Sequence, residues 1–157
     1  GFDESVPTED PRLGPWLEWV AEAHPEHYQA ALATCWPMPY LTSGERQAWQ
    51  TAFDEHLKPL KDASPWPLMY PSPLPPEVQQ SHWITDLGLD FMARHLDAHP
   101  ERPFFCHLSY VDPHDPYDPP EPYASRFDPA DMPDPLPASW LEHRPPALLK
   151  KRAFAGF

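Results

Sequence analysis

The residues best placed to do chemistry are Asp112-Pro113-His114-Asp115-Pro116-Tyr117. A histidine can act near neutral pH as an acid, a base or a charged hydrogen-bond donor. His114 stands between Pro113 and Pro116, in a loop stiffened on both sides, so its ring has little freedom to relax away from a target. It also follows the mostly apolar run 104–111, and ligands of open α/β sheets bind beyond the carboxyl ends of the strands. The plainer alternative is a loop histidine packed on Tyr117 or Tyr123. Tyr117 is a candidate lining residue for a pocket, with packing as its other role. Asp112, ahead of a proline, reads as an Asx-type turn former, and Asp115 and Asp118 read as solvated charges.

The other reactive residue types form no comparable pattern. Cys35 and Cys106 make no C-x-x-C pair, which supports neither a disulfide framework nor a zinc site. Cys106 reads as a small buried residue of its apolar run. His82, His95 and His99 lie on or near one helix without H-E-x-x-H spacing, so a surface role is expected. His107 reads as a core histidine. No metal-ligand set is read in this segment.

These residues must be positioned by a chain of 157 residues that contains 26 prolines, where average usage near 5% would give about 8. Seven Trp, eight Phe and six Tyr argue against disorder, because disordered chains are poor in aromatics. Pro15 opens a helix carrying Trp16, Leu17, Trp19, Val20 and Ala23, and Pro25 opens a second through Ala33. Residues 35–39 read as an extended connector. Thr42 and Glu45 have capping-box spacing, which predicts a helix to about Leu57. The prolines of 59–76 predict neither helix nor central strand. From Ser81 to about Leu96 the residues Trp83, Ile84, Leu87, Phe91 and Leu96 recur at helical spacing, with Asp90 and Arg94 as an i,i+4 pair. The run 104–111 then predicts a buried strand, and helix followed by strand is half of a βαβ unit with a parallel sheet. A second Pro-rich loop follows over 112–137. Ser139 and Glu142 have the spacing to cap one turn, and a last helix is expected from Pro146.

The 24 acidic and 11 basic residues give a formal charge of −13. Such a surface repels phosphate backbones, so no nucleic acid is expected as partner, and no membrane through a basic face. No apolar run of about 18 residues predicts a transmembrane helix. Gly1-Phe2-Asp3 reads as a cut end rather than a natural start.

The stretch P-F-F-C-H-L-S-Y-V-D-P-H-D-P-Y-D-P-P-E-P-Y, Pro103 to Tyr123, resembles the middle of the sulfatase family of the alkaline phosphatase superfamily. In that family "PFF" opens a central strand, followed by "S-x-x-x-PH-x-P" and "P-x-P-Y". The opening Gly1-Phe2-Asp3-Glu4 is similar to the family's "GFDE". Lys151-Arg152-Ala153-Phe154-Ala155-Gly156-Phe157 resembles the start of its long helix before the second metal-ligand strand. "SHWITD" and "FDPADMPDPLP" look most like the subgroup of phosphonate monoester hydrolases and related arylsulfatases.

The resemblance implies an α/β fold. The chain would be an internal fragment of an alkaline-phosphatase-like α/β sandwich, mainly helices and Pro-rich loops with one central parallel strand near 104–111. Residues 1–80 would be a helical, Pro-rich insertion, 81–111 a helix and core strand, 112–137 a substrate-side loop and 138–157 the start of the next helix. The implied substrate is a small-molecule sulfate monoester, or a phosphonate monoester or phosphodiester. His114 matches the family's substrate-contacting histidine, which hydrogen-bonds an oxygen of the transferred group or the ester oxygen. Such a donor stabilises charge growing in the transition state.

The family's nucleophile, a Cys or Ser of C/S-x-P-S/A-R converted to formylglycine, has no counterpart here. Cys35-Trp36-Pro37-Met38-Pro39 matches two letters and then fails, and it lies on the wrong side of "GFDE". The family's tandem acidic pair and D-H/N-G pair, which serve a divalent metal such as calcium or manganese, are also absent. The resemblance therefore implies a metal in the intact protein, none bound by this segment, and no turnover by the segment alone. An isolated segment would expose apolar faces, so aggregation or a homo-oligomer through those faces is expected. The two unpaired-looking cysteines lean toward the cytoplasm. A second reading takes the prolines of 65–76 and 113–137 as extended ligands for aromatic-lined grooves, a non-catalytic interaction module.

Overall fold

Prolines and one capping box mark several of the helix starts in this protein. The computed structural model describes residues 2–8, 12–37, 39, 41–66 and 68–134. The expected cap at Ser139–Glu142 and the helix from Pro146 lie outside them. The chain divides into two units, Gly1–Arg126 and Phe127–Phe157. In the second, Asp128 caps the 3-10 turn Pro129–Asp131 by accepting from the Ala130 amide at 2.8 Å.

In the first unit, Gly14 turns the chain at φ 82, a conformation glycine adopts without steric cost. Pro15 then occupies the first turn of α1 (Pro15–Ala23). A 3-10 turn, Pro25–His27, leads into α2 (Tyr28–Thr34). The Thr42–Glu45 capping box is formed in both directions at the start of α3 (Ser43–Ala52). The helix runs on through a π turn, Phe53–Leu57, into α4 (Lys58–Ala63).

That last step corrects the expectation that residues from 59 onward break the helix. Pro59 lies inside α4, just after the Lys58 amide has bonded to the Phe53 carbonyl across the π turn. The wider turn relieves the clash a proline ring makes with the carbonyl one turn back, and its missing N–H falls where the bonding pattern is already shifted.

Two small cores hold these pieces. One joins Trp16, Leu17 and Val20 of α1 to Ala30 and Ala31 of α2, to Leu74 and Val78, and to Trp83 and Ile84 of α5 (Gln80–Ala98). The other gathers Ala33, Ala52, Leu57 and Tyr70. Trp16 is fully buried, and its indole N–H donates to the Val78 carbonyl at 3.1 Å. The Pro-rich stretch after α4 is thus a packed strap. Burying side chains of this size stabilises by about 1.5–3 kcal/mol each.

The strand expected at 104–111 is not found: among the described residues there is no strand, only a single parallel bridge between Met69 and Tyr117. The segment is nevertheless laid out with period-2 alternation, antiparallel along α5. Phe104 meets Phe91 and His95, Leu108 meets Gly88, the Tyr110 hydroxyl is 2.9 Å from that of Thr85, and Asp112 bonds Ser81. Between them, Phe105 stacks on Phe2, and the Ser109 carbonyl accepts from Thr8. The alternation of a strand is present, but the neighbouring strands that would complete a ladder are not. Without that cover Phe105 is 73% exposed, His107 is exposed rather than in a core, and Cys106 is only half-buried. The helical chain is compatible with a segment of a larger α/β protein, and no α/β sandwich is shown.

Candidate functional site

The extended segment delivers the chain to the N-terminal end of α5, where Asp112 begins the histidine loop. The Asp112–Pro113 and Asp115–Pro116 bonds are both cis, and the His114 amide closes a turn onto the Val111 carbonyl at 3.0 Å. The far end is strapped to the Pro-rich segment. The Tyr117 amide donates to the Leu68 carbonyl at 2.7 Å, and its own carbonyl accepts from Tyr70 at 3.1 Å. The Ser72 amide adds a bond to the Pro119 carbonyl at 2.9 Å.

His114 is exposed. Its Nδ1 lies 2.7 Å from the Asp115 carbonyl oxygen and 3.3 Å from Asp115 Oδ1, an ion pair when the ring is protonated. A carbonyl only accepts, so Nδ1 carries the proton in that bond. The other ring nitrogen is then an acceptor in the neutral ring and a donor in the imidazolium. Trp36 packs near the imidazole, with ring centroids 6.1 Å apart. His114 and Tyr117 both line a groove of about 570 Å³, together with Ser81, His82, Asp112 and Tyr123. Its lining mixes proline rings and two tyrosines with the polar side chains of Ser81, His82, Asp112 and His114. This is the usual make-up of a small-molecule site.

Two carboxylates of the loop do something the sequence did not reveal. Asp118 is buried, not solvated, and pairs with Arg12 through two contacts of 2.5 and 2.9 Å. Asp112 does more than form a turn: one oxygen lies 3.4 Å from Arg12 and the other accepts from Ser81. Asp115 stays half-exposed beside His114. Burial acts to lower the Arg12 pKa, but the hydrogen bond and charge of Asp118, with Asp112 behind it, win and raise it. Arg12 holds φ 61, a left-handed conformation that costs a non-glycine residue about 1 kcal/mol. Only the proline-flanked aspartates hinted at a clamp; nothing local marks Arg12 as their partner.

Cys35 is buried, its thiol donating to the carbonyls of Arg12 and Ala31 at 3.3 and 3.5 Å. Burial pushes the thiol up to about 12, against the pull of Arg12. Such a thiol is inert. Among the described residues no three His, Cys, Asp or Glu side chains gather into a set that could hold a metal ion. The residues present do not fit calcium or manganese, which require several converging oxygens.

No protein-family model matches the chain, and no solved structure matches it. Over 63 residues it is 35% identical to an arylsulfatase of Clostridium perfringens (strain 13 / Type A). That stretch is 40% of this chain and 12% of the relative, so the relative extends far beyond the shared part. The likeness supports a relationship to sulfatase-like hydrolases.

Proposed function

We propose that this chain is a segment of a sulfatase-like hydrolase of the alkaline phosphatase superfamily. The substrates would be sulfate monoesters, or phosphonate monoesters and phosphodiesters. The partial identity to an arylsulfatase carries this reading, and the exposed groove that His114 lines is consistent with it. His114 is the substrate contact. The Asp115 carbonyl holds the ring at Nδ1, and on this reading the protonated imidazole donates to an oxygen of the ester. That charged donor meets negative charge growing on the transferred group or on the leaving oxygen. Tyr117 lines the groove and orients the organic part of the ester. On this reading the divalent metal and the formylglycine nucleophile are supplied by parts of the intact protein outside this segment.

The test is His114→Ala in the intact protein, assayed against an aryl sulfate, an aryl phosphonate and a phosphodiester. Loss of one charged donor lowers kcat by about 10²–10³ for the true substrate. Turnover unchanged on every ester would exclude His114 from the site. A Pro-rich groove ligand would bind equally well with or without the imidazole.

A further inference from the structure

We propose that Arg12 is the positioning residue of His114, holding both ends of the loop that carries the imidazole. What His114 does rests on the hydrolase reading; how it is held does not. The guanidinium bonds both oxygens of Asp118, at 2.5 and 2.9 Å, and reaches Asp112 at 3.4 Å. His114 lies between these two aspartates in sequence. One buried group therefore closes the loop at its base, while Ser81 of α5 takes the second oxygen of Asp112. A planar fork with donors on two nitrogens can do this, and a lysine ammonium cannot match that geometry.

A second connection reaches the ring itself. The Arg12 carbonyl accepts from the Cys35 thiol, and the next residue, Trp36, packs on the His114 ring. Arg12 is thus tied to the backbone of the loop through its side chain and to a neighbour of the imidazole through its main chain. Its left-handed backbone, φ 61, is an uncommon conformation that the surrounding bonds must enforce. A salt bridge that served stability alone would require neither the second aspartate nor the contact through Cys35 and Trp36.

The test reads the ring and not only the melting temperature. In the intact protein, the ring nitrogens of His114 are followed by long-range proton–nitrogen NMR, with its signals identified by their loss in His114→Gln. The wild type should show the Nδ1-protonated tautomer that the bond to Asp115 requires. In R12M/D118L the pair is removed together, so no unpaired charge is left buried. There the His114 signals should shift toward the average of two tautomers while those of His24 and His95 stay in place. Arg12→Lys should recover the wild-type signals only in part. A folded R12M/D118L with unchanged His114 signals overturns the proposal. Should that variant not fold, Asp112→Asn takes its place, and unchanged signals there overturn it equally. In the intact protein Arg12→Lys should lower kcat by up to about a hundredfold with little change in KM. If the tautomer shifts but the wild-type protein hydrolyses none of the three esters, the hydrolase reading fails and the clamp stands. If His114→Ala abolishes turnover but the tautomer persists without Arg12, the clamp fails and the hydrolase reading stands.

Discussion

Leu108 lies so close to Gly88 that a β-carbon there would stand 2.7 Å from Leu108 Cδ2 and 2.8 Å from Cδ1. Gly88 sits in the middle of α5, where glycine costs about 1 kcal/mol relative to alanine. The glycine is what lets the extended segment before the histidine loop lie against the helix. Gly88→Ala gains helix propensity but must push two methyl groups aside. Those methyls end a side chain that is 36% exposed and can swing out, so the net change should be a loss of about 1 kcal/mol or less. In a Leu108→Ala background the same substitution should stabilise by about 1 kcal/mol. Urea denaturation of the four proteins checks this, and equal effects in both backgrounds would refute the contact.

Arg12→Ala should lower stability by about 3–5 kcal/mol, because it leaves Asp118 buried and unpaired. R12M/D118L should recover most of that loss. The comparison is made from urea midpoints at neutral pH. A mild Arg12→Ala would mean that water reaches Asp118.

Thr42→Ala should cost about 1 kcal/mol through loss of the cap on α3. Glu45 belongs to the same box, and its bonds to the Thr42 side chain and backbone hold its carboxyl below the usual range. A carboxylate with a depressed folded pKa contributes stability above its unfolded pKa and loses it as pH falls through the folded one. The melting temperature of the wild type should therefore exceed that of Glu45→Gln at neutral pH. The gap should close in acid.

Alkali should act in the opposite sense through Cys35 and Tyr70. Burial pushes both groups up to about 12, helped at Tyr70 by the charge of Asp118 and opposed at both by Arg12. The unfolded groups lose their protons first, from ordinary values of 9.0 and 10.0. The stability they contribute is complete below those values and is lost as pH rises toward 12. Each removes up to about 1.4 kcal/mol per pH unit in that window. Cys35→Ala and Tyr70→Phe should each flatten the decline of the urea midpoint between about pH 9 and 11. At neutral pH iodoacetamide should modify Cys106 well before Cys35.

What was legible in the sequence was local. The apolar spacing from Trp83 to Phe91 and the Thr42–Glu45 pair specify α5 and the start of α3 through contacts three or four residues apart, and these formed. The mostly apolar run 104–111 predicted a buried strand, but a ladder needs neighbouring strands that the described residues do not contain. Pro59 misled because a π turn ahead of it changes which amide and carbonyl must pair. At the site, the loop bearing His114 stood out by its prolines. Asp118 was misread because its partner is 106 residues away, and no window of sequence shows that a carboxylate has a buried cation opposite it.

That separation has a consequence for how the chain is made. Glu4 meets Arg94, Thr8 meets Ser109 and Arg12 meets Asp118, so these three residues find their places only after 90, 101 and 106 further residues have been synthesised. Closing so long a loop is a slow and entropically costly event. The nascent chain can assemble α1, α2 and α3 on the ribosome, but residues 4–12 must wait for their partners, with the guanidinium of Arg12 hydrated. The histidine loop is completed only once Asp118 has been made, and its arrival is what draws the Arg12 segment into place.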